Sequence, residues 1–195
     1  AIMGAAWELA ALMREMLEER RVKPTEDLTS ALLYAELEGE KLTEEEIASF
    51  FILLLVAGNE TTRNALSWGL HLLTENPEQK EILWNDFENL APKAVEEIVR
   101  WASPVIFMRR TVTRDGVRLG DRKFEEGDKL SLYYWAANRD PSVFENPHQF
   151  NILRDSNDHF GYGAPGPHFC LGAHLARREI TVMLREIQRT IPEIF

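Results

Sequence analysis

The sequence contains a single cysteine, Cys170, among 195 residues, so it can form no internal disulfide. No charged-then-apolar leader with a small-residue cleavage site opens the chain, and with the lone thiol this gives a cytoplasmic protein as the expectation. Basic residues are scarce as well: 22 Lys and Arg stand against 32 Asp and Glu, a formal net charge of −10. A phosphate-binding surface needs a basic stripe, so no nucleic acid partner is expected. Long apolar runs are also missing. The longest, Ile47 to Ala57, has 11 residues, whereas a membrane span needs about 20. It reads as a buried helix segment, and no membrane span is expected. Repeats and low-complexity segments are absent.

What is present is material for a core, 45% hydrophobic residues in a length that suits one domain. Leu9, Leu12, Met13, Met16 and Leu17 recur at helical spacing, which predicts an amphipathic helix over 2–21 that stops before Pro24. A shorter helix is expected over 27–38 and a loop over 39–42. Thr43-Glu44-Glu45-Glu46 spells a capping box, and helical spacing then continues to Glu75, where Asn76-Pro77 ends it. Such a helix is about 50 Å long. It is apolar on all sides through Ile47–Ala57, so every face there needs cover, and a polar island, Gly58-Asn59-Glu60-Thr61-Thr62-Arg63-Asn64, follows.

Pro77 and Pro92 suit helix first turns and predict helices over 77–87 and 92–102. Beyond Pro104 the pattern becomes β: a strand over 105–112, a hairpin turn at Asp115-Gly116, and short strands at 117–119, 123–124 and 129–133. Residues 138–158 lack periodicity, but Phe144, Phe150 and Ile152 need burial, so an ordered loop is expected. A last helix over 171–190 stops before Pro192. The fold class is mainly α with a small β region.

The most informative stretch is HFGYGAPGPHFCLGAHLARRE, residues 159–179. Its G-x-G-x-x-G fits the dinucleotide fingerprint by letter only, because no strand precedes it, Pro165 and Pro167 interrupt it, and the chain ends one helix later. His168, Cys170 and His174 form a second pattern, a metal site completed by His159 or Asp158. In a third, Cys170 sits at a helix mouth whose unpaired N–H groups favour a thiolate, with Gly166 and Gly172 making room for a flat ligand. Taken alone, a single cysteine reads as a small buried hydrophobe.

The stretch resembles the cysteine-ligand loop of the cytochrome P-450 haem-thiolate monooxygenases, F-x-x-G-x-[RH]-x-C-x-G, with Gly166, His168, Cys170 and Gly172 in place. Gly163 stands where that pattern has Phe, and Tyr162 is its neighbour. Ala57-Gly58-Asn59-Glu60-Thr61-Thr62 is similar to the family's [AG]-G-x-[DE]-T-T, and Glu97-Ile98-Val99-Arg100 to its E-x-x-R, in the family's order. The resemblance implies the C-terminal part of that fold: long central helix, E-x-x-R helix, meander, cysteine-ligand loop and following helix. It covers residues 1–195 as a single haem-binding domain, with the family's N-terminal half expected to be absent.

The same resemblance implies roles. Cys170 becomes the axial ligand of haem b (iron protoporphyrin IX), its thiolate favouring O–O cleavage, and the N–H groups of Leu171 and Gly172 donate to the sulfur. His168 and Arg110 anchor the haem propionates. Ala57 and Gly58 leave a notch for dioxygen, while Glu60 and Thr61 match the acid–alcohol proton relay. Val105, Ile106 and Phe107 border an apolar substrate pocket, Glu97, Arg100 and Arg154 form a buried charge triad, and Arg177 and Arg178 offer a basic spot to a redox partner. The implied reaction is hydroxylation of a lipophilic small molecule, such as a sterol, fatty acid or other apolar metabolite. Electrons come ultimately from NAD(P)H through a ferredoxin- or flavodoxin-type protein. Two alternatives stay open on sequence: a haem-free fragment acting as a binding or assembly module, and a His/Cys metal-binding protein. With one face of the apolar helix segment expected to lack a cover, the chain is expected to self-associate or to pair with a separate N-terminal half, and alone to hold haem weakly or not at all.

Overall fold

The computed structural model describes residues 2–193, and the chain divides into two compact units between Glu60 and Thr61. The first unit holds α1 (Ile2–Val22), α2 (Leu28–Tyr34), the strands β1 (Glu36–Leu37) and β2 (Glu40–Lys41), and the first half of α3 (Glu44–Glu75). Met13, Leu17, Ile47 and Ala48 are its buried core. The capping box forms as the sequence predicts: Glu46 N–H donates to Thr43 Oγ1 at 3.2 Å and Thr43 N–H to Glu46 Oε2 at 2.8 Å. Leu53, Leu55 and Val56 are exposed, so the apolar segment is not covered on every side, as expected of it.

The second helix stops at Tyr34, four residues short of the expectation, and the expected loop at 39–42 is part of a hairpin. Glu38 and Gly39 both take positive φ, 54° and 88°, which turns β1 back onto β2. Two consecutive left-handed residues give the twist that a two-residue hairpin needs.

The second unit contains the rest of α3, α4 (Pro77–Asn85), α5 (Phe87–Ala102), β3 (Phe107–Thr111), β4 (Val117–Leu119), β5 (Arg122–Phe124), β6 (Lys129–Tyr133), the short α6 (Tyr134–Ala137) and α7 (Ala173–Thr190). Its core draws Leu72 and Leu73 from α3, Leu83 from α4, Val95 and Ile98 from α5, Ile180 and Leu184 from α7, and Phe150 and Ile152 from the long loop. Gly69 lets α3 lie close to α5, since a Cβ there would stand 3.0 Å from Ile98 Cδ1. No described helix is long and apolar enough to cross a membrane.

Three expectations change in this unit. Pro92 lies inside α5, not at its start; Phe87 and Ala91 are buried on the same face as Ala94, Val95 and Ile98, and that packing extends the helix back by a turn and a half. Asp115-Gly116 does not join paired strands. Instead β3 pairs antiparallel with β6 across 17 intervening residues (112–128), and β4 pairs with β5 around Gly120, whose φ is 56°. The last helix begins at Ala173, with Gly172 as its N-cap.

Behind the core sits the charge triad that the resemblance implied. Glu97 and Arg100 have no exposed side-chain surface. Arg100 donates to both oxygens of Glu97, at 2.7 and 2.8 Å, and to the carbonyls of Asn138, Pro147 and Gln149. Arg154 Nε reaches Glu97 Oε2 at 3.2 Å, and Asn151 N–H and the Asn157 amide donate to the same carboxylate. The Glu97–Arg100 pair thereby pins residues 138–157 to α5, with the hydrogen-bonding capacity of the carboxylate filled.

Candidate functional site

The loop from His159 to Gly172 is held from below by α5. His159 Nδ1 accepts from Gly161 N–H at 2.9 Å, which leaves Nε2 as the donor to Glu96 Oε2 at 3.0 Å in the neutral ring. Arg177, from α7, donates to both oxygens of Glu96 and lays its guanidinium 4.3 Å from the centre of the Tyr162 ring. The Tyr162 carbonyl then accepts the Cys170 N–H at 2.9 Å. A chain of contacts therefore runs from Glu96 through Arg177 and Tyr162 to the backbone of the cysteine. Arg177, expected on the partner-facing spot, is thus bound internally; of the two arginines only Arg178 is exposed.

Burial opposes ionisation of Glu96, but hydrogen bonds from His159 and Arg177 outweigh it and draw its carboxyl down to about 2. The folded value lies below the ordinary 4.5, so Glu96 contributes stability that is present above that value and lost as the pH falls toward about 2. The stability gap between the parent and Glu96→Gln is expected to shrink between about pH 6 and about pH 3. Urea melts at both pH values check this; an unchanged gap contradicts the assignment.

The three glycines of the G-x-G-x-x-G letters have geometric reasons of their own. A Cβ on Gly161 would stand 2.5 Å from Val99 Cγ1 of α5, closer than any packing allows. Gly163 and Gly166 take φ of 83° and 137°, which side chains resist. Gly161→Ala is therefore expected to cost about 1–3 kcal/mol through overpacking, measured by chemical unfolding, whereas Gly172→Ala, with open space at its Cβ, should cost little.

Cys170 is exposed, so it is not a small buried hydrophobe. Its carbonyl accepts from Ala173 N–H at the head of α7. Leu171 beside it is exposed too, and Cβ positions at Gly166 and Gly172 would point into open space. Among the described residues no group of three or more His, Cys, Asp or Glu side chains is placed to hold a metal ion, which removes the support for a His168–Cys170–His174 site.

On one side of this loop lies a cleft of about 440 Å³ lined by Arg110, Leu132, Tyr133, Tyr134, Ala137, Phe160 and residues 164–168. Arg110 and His168 are far apart in sequence and meet here because β3 pairs with β6, which runs directly into α6. Buried Asn138 locks the wall: its amide donates to Ser103 Oγ at 2.9 Å and accepts from Phe160 N–H at 2.7 Å. Arg110 donates to the Arg109 carbonyl and has no carboxylate within ion-pair distance among the described residues. The cleft therefore combines an uncompensated cation, an imidazole and an aromatic wall.

Of the residues the sequence singled out, Arg110, Gly166 and His168 come together at this cleft, and Cys170, Leu171 and Gly172 carry the same loop on to α7. Ala57, Gly58, Glu60 and Thr61 all lie on α3, with Ala57 and Thr61 four apart and so on one face. Sequence reasoning missed Tyr134 and Phe160 in the cleft wall, and Glu96 and His159 beneath the loop. Glu96 adjoins the E-x-x-R glutamate, but nothing in its neighbours signals a partner 81 residues away.

An exposed cysteine in the loop between α6 and α7 thus lies in the same loop as His168, which lines a basic and aromatic cleft. The chain belongs to the cytochrome P450 family, whose model matches residues 2–190. It is 53% identical over 192 residues to a methyl-branched lipid omega-hydroxylase of Mycobacterium tuberculosis, covering 98% of this chain and 45% of the relative. It is 42% identical over 191 residues to a steroid C26-monooxygenase of Mycolicibacterium smegmatis, covering 97% and 44%. A cytochrome P450 of Bacillus megaterium solved in complex with corticosterone superposes with a TM-score of 0.92 at 41% identity, over 98% of this chain and 51% of that one. The chain thus spans about half the length of the relatives it matches.

The family implies haem, and the residues present fit it. An exposed thiol provides a soft ligand, Gly166 and Gly172 put no side chain at their own points of the loop surface, and Leu132, Tyr133 and Phe160 expose apolar surface for a flat ring system. Arg110 and His168 suit its carboxylates.

Proposed function

We propose that residues 1–195 form the C-terminal, haem-binding part of a haem-thiolate monooxygenase that hydroxylates a lipophilic substrate. The observation that supports this most is the cleft joining Arg110 and His168 to the loop of exposed Cys170. Bound haem b would supply the activation of dioxygen. Cys170 Sγ ligates it from the head of α7, and the backbone N–H groups of Leu171 and Gly172 moderate the charge on the sulfur. Arg110 would pair with its carboxylates, and the His168 imidazole would donate a hydrogen bond to them. On α3, Ala57 and Gly58 keep the helix surface low, while the Glu60 carboxylate and the Thr61 hydroxyl hold and pass protons. Ile106 and Phe107, both exposed, offer apolar surface to substrate.

The substrate class is a long or polycyclic hydrocarbon with an oxidisable terminal methyl, by analogy with the relatives that act on methyl-branched lipids and steroids. A separate ferredoxin- or flavodoxin-type protein in the cytoplasm delivers two electrons from NAD(P)H. Haem titration of the purified chain, followed by reduction under carbon monoxide, tests the reading. A thiolate-type carbon monoxide band supports it. A chain that stays colourless even when a separate N-terminal half is supplied is the result expected of a haem-free binding module and overturns it.

A further inference from the structure

Tyr134 opens α6 and lines the same cleft as Arg110 and His168. Its ring stacks on Phe160, centroids 6.4 Å apart and planes 29° apart. Its phenol oxygen lies beside the loop that leads to His168: a Cβ built on Gly163 would stand 3.8 Å from that oxygen and 3.5 Å from the His168 carbonyl. The turn that carries it is fixed, since Asn138 N–H donates to the Tyr134 carbonyl at 2.8 Å and the Asn138 side chain is locked to Ser103 and Phe160. The phenol itself makes no hydrogen bond among the described residues.

A rigidly held donor, facing a cleft that already presents a guanidinium and an imidazole, matches a carboxylate at the edge of a flat apolar molecule. We propose that Tyr134 is a third anchoring residue, whose phenol O–H donates to a haem carboxylate alongside Arg110 and His168. This assignment rests on the haem reading above and adds to it a residue that no cysteine-loop motif contains.

The test compares haem with haem dimethyl ester, in which both carboxylates are blocked, on the parent chain and on Tyr134→Phe. That substitution keeps the stack on Phe160 and removes only the hydroxyl, so folding, checked by circular dichroism, should be unchanged. Affinity is read from absorbance titrations and from the rate of haem transfer to excess apomyoglobin. Tyr134→Phe is expected to weaken haem roughly 10- to 150-fold, the range of one hydrogen bond to a charged group, and to leave the ester unaffected. Equal haem affinity in the variant and the parent overturns the proposal. So does an equal loss on haem and on the ester, which assigns Tyr134 to packing alone. A parent chain that binds neither, even with a separate N-terminal half supplied, removes the haem reading itself, and this proposal with it.

Discussion

Glu97→Gln is expected to destabilise the second unit by about 3–5 kcal/mol, because it leaves two guanidinium groups without their shared carboxylate in a dry interior. Arg100 and Glu97 are fully buried, and every oxygen of the carboxylate is in use: Arg100 takes both, and Arg154, Asn151 and Asn157 share them. Such a loss is a large part of a typical domain's net ~5–15 kcal/mol. Arg100→Lys should come close to the same loss, because three ammonium donors on a single nitrogen cannot hold the Glu97 fork together with the carbonyls of Asn138, Pro147 and Gln149. The consequence reaches the cleft, since Asn138 is both an acceptor for Arg100 and the lock on Phe160. Urea unfolding followed by tryptophan fluorescence measures the effect. A Glu97→Gln midpoint equal to the parent's would show that the triad contributes nothing beyond well-packed neutral groups.

Cys170→Ser has the opposite signature, a full loss of ligand chemistry at almost no cost in stability. The side chain is exposed, and surface substitutions away from special backbone usually fall within about 0.5 kcal/mol. A hydroxyl is a harder and weaker ligand than a thiolate, so the thiolate-type carbon monoxide spectrum should vanish in the serine variant. Cys170→His, with a nitrogen ligand, should bind haem with an altered spectrum. An unchanged carbon monoxide spectrum in Cys170→Ser would assign the iron to another residue. Parallel unfolding curves distinguish ligand loss from misfolding.

Several features were legible because they are local. The Thr43–Glu46 capping box, the long helix behind it and the burial of Phe144, Phe150 and Ile152 follow from neighbours within a few residues. The family motifs belong here too, since Gly166, His168, Cys170 and Gly172 sit within seven consecutive positions. Errors arose where a local cue competed with a distant one. Pro92 suggests a helix start until Phe87 and Ala91 bury against the core, and Asp115-Gly116 suggests a hairpin until Phe107–Thr111 finds Lys129–Tyr133. Glycine was the most ambiguous letter. Gly161 is required by a Val99 methyl from another helix, which no reading of its own neighbourhood supplies.

By itself the sequence determined the family, the helical class and the order of the motifs, because these depend on residue identity and on spacing along one helix or loop. Only the tertiary structure decided what surrounds the cysteine. Sheet pairing between β3 and β6 carries Arg110 to the cleft that His168 lines, and Asn138 fixes Tyr134 and Phe160 as its wall. Packing of α7 on α5 commits Arg177 to Glu96 and Tyr162 and takes it from the surface role the resemblance implied. Charge and aromaticity are written in the chain, but whether a cation meets a carboxylate, a ring or open cleft depends on contacts between residues 15 to 81 positions apart, and those are settled only when the core closes.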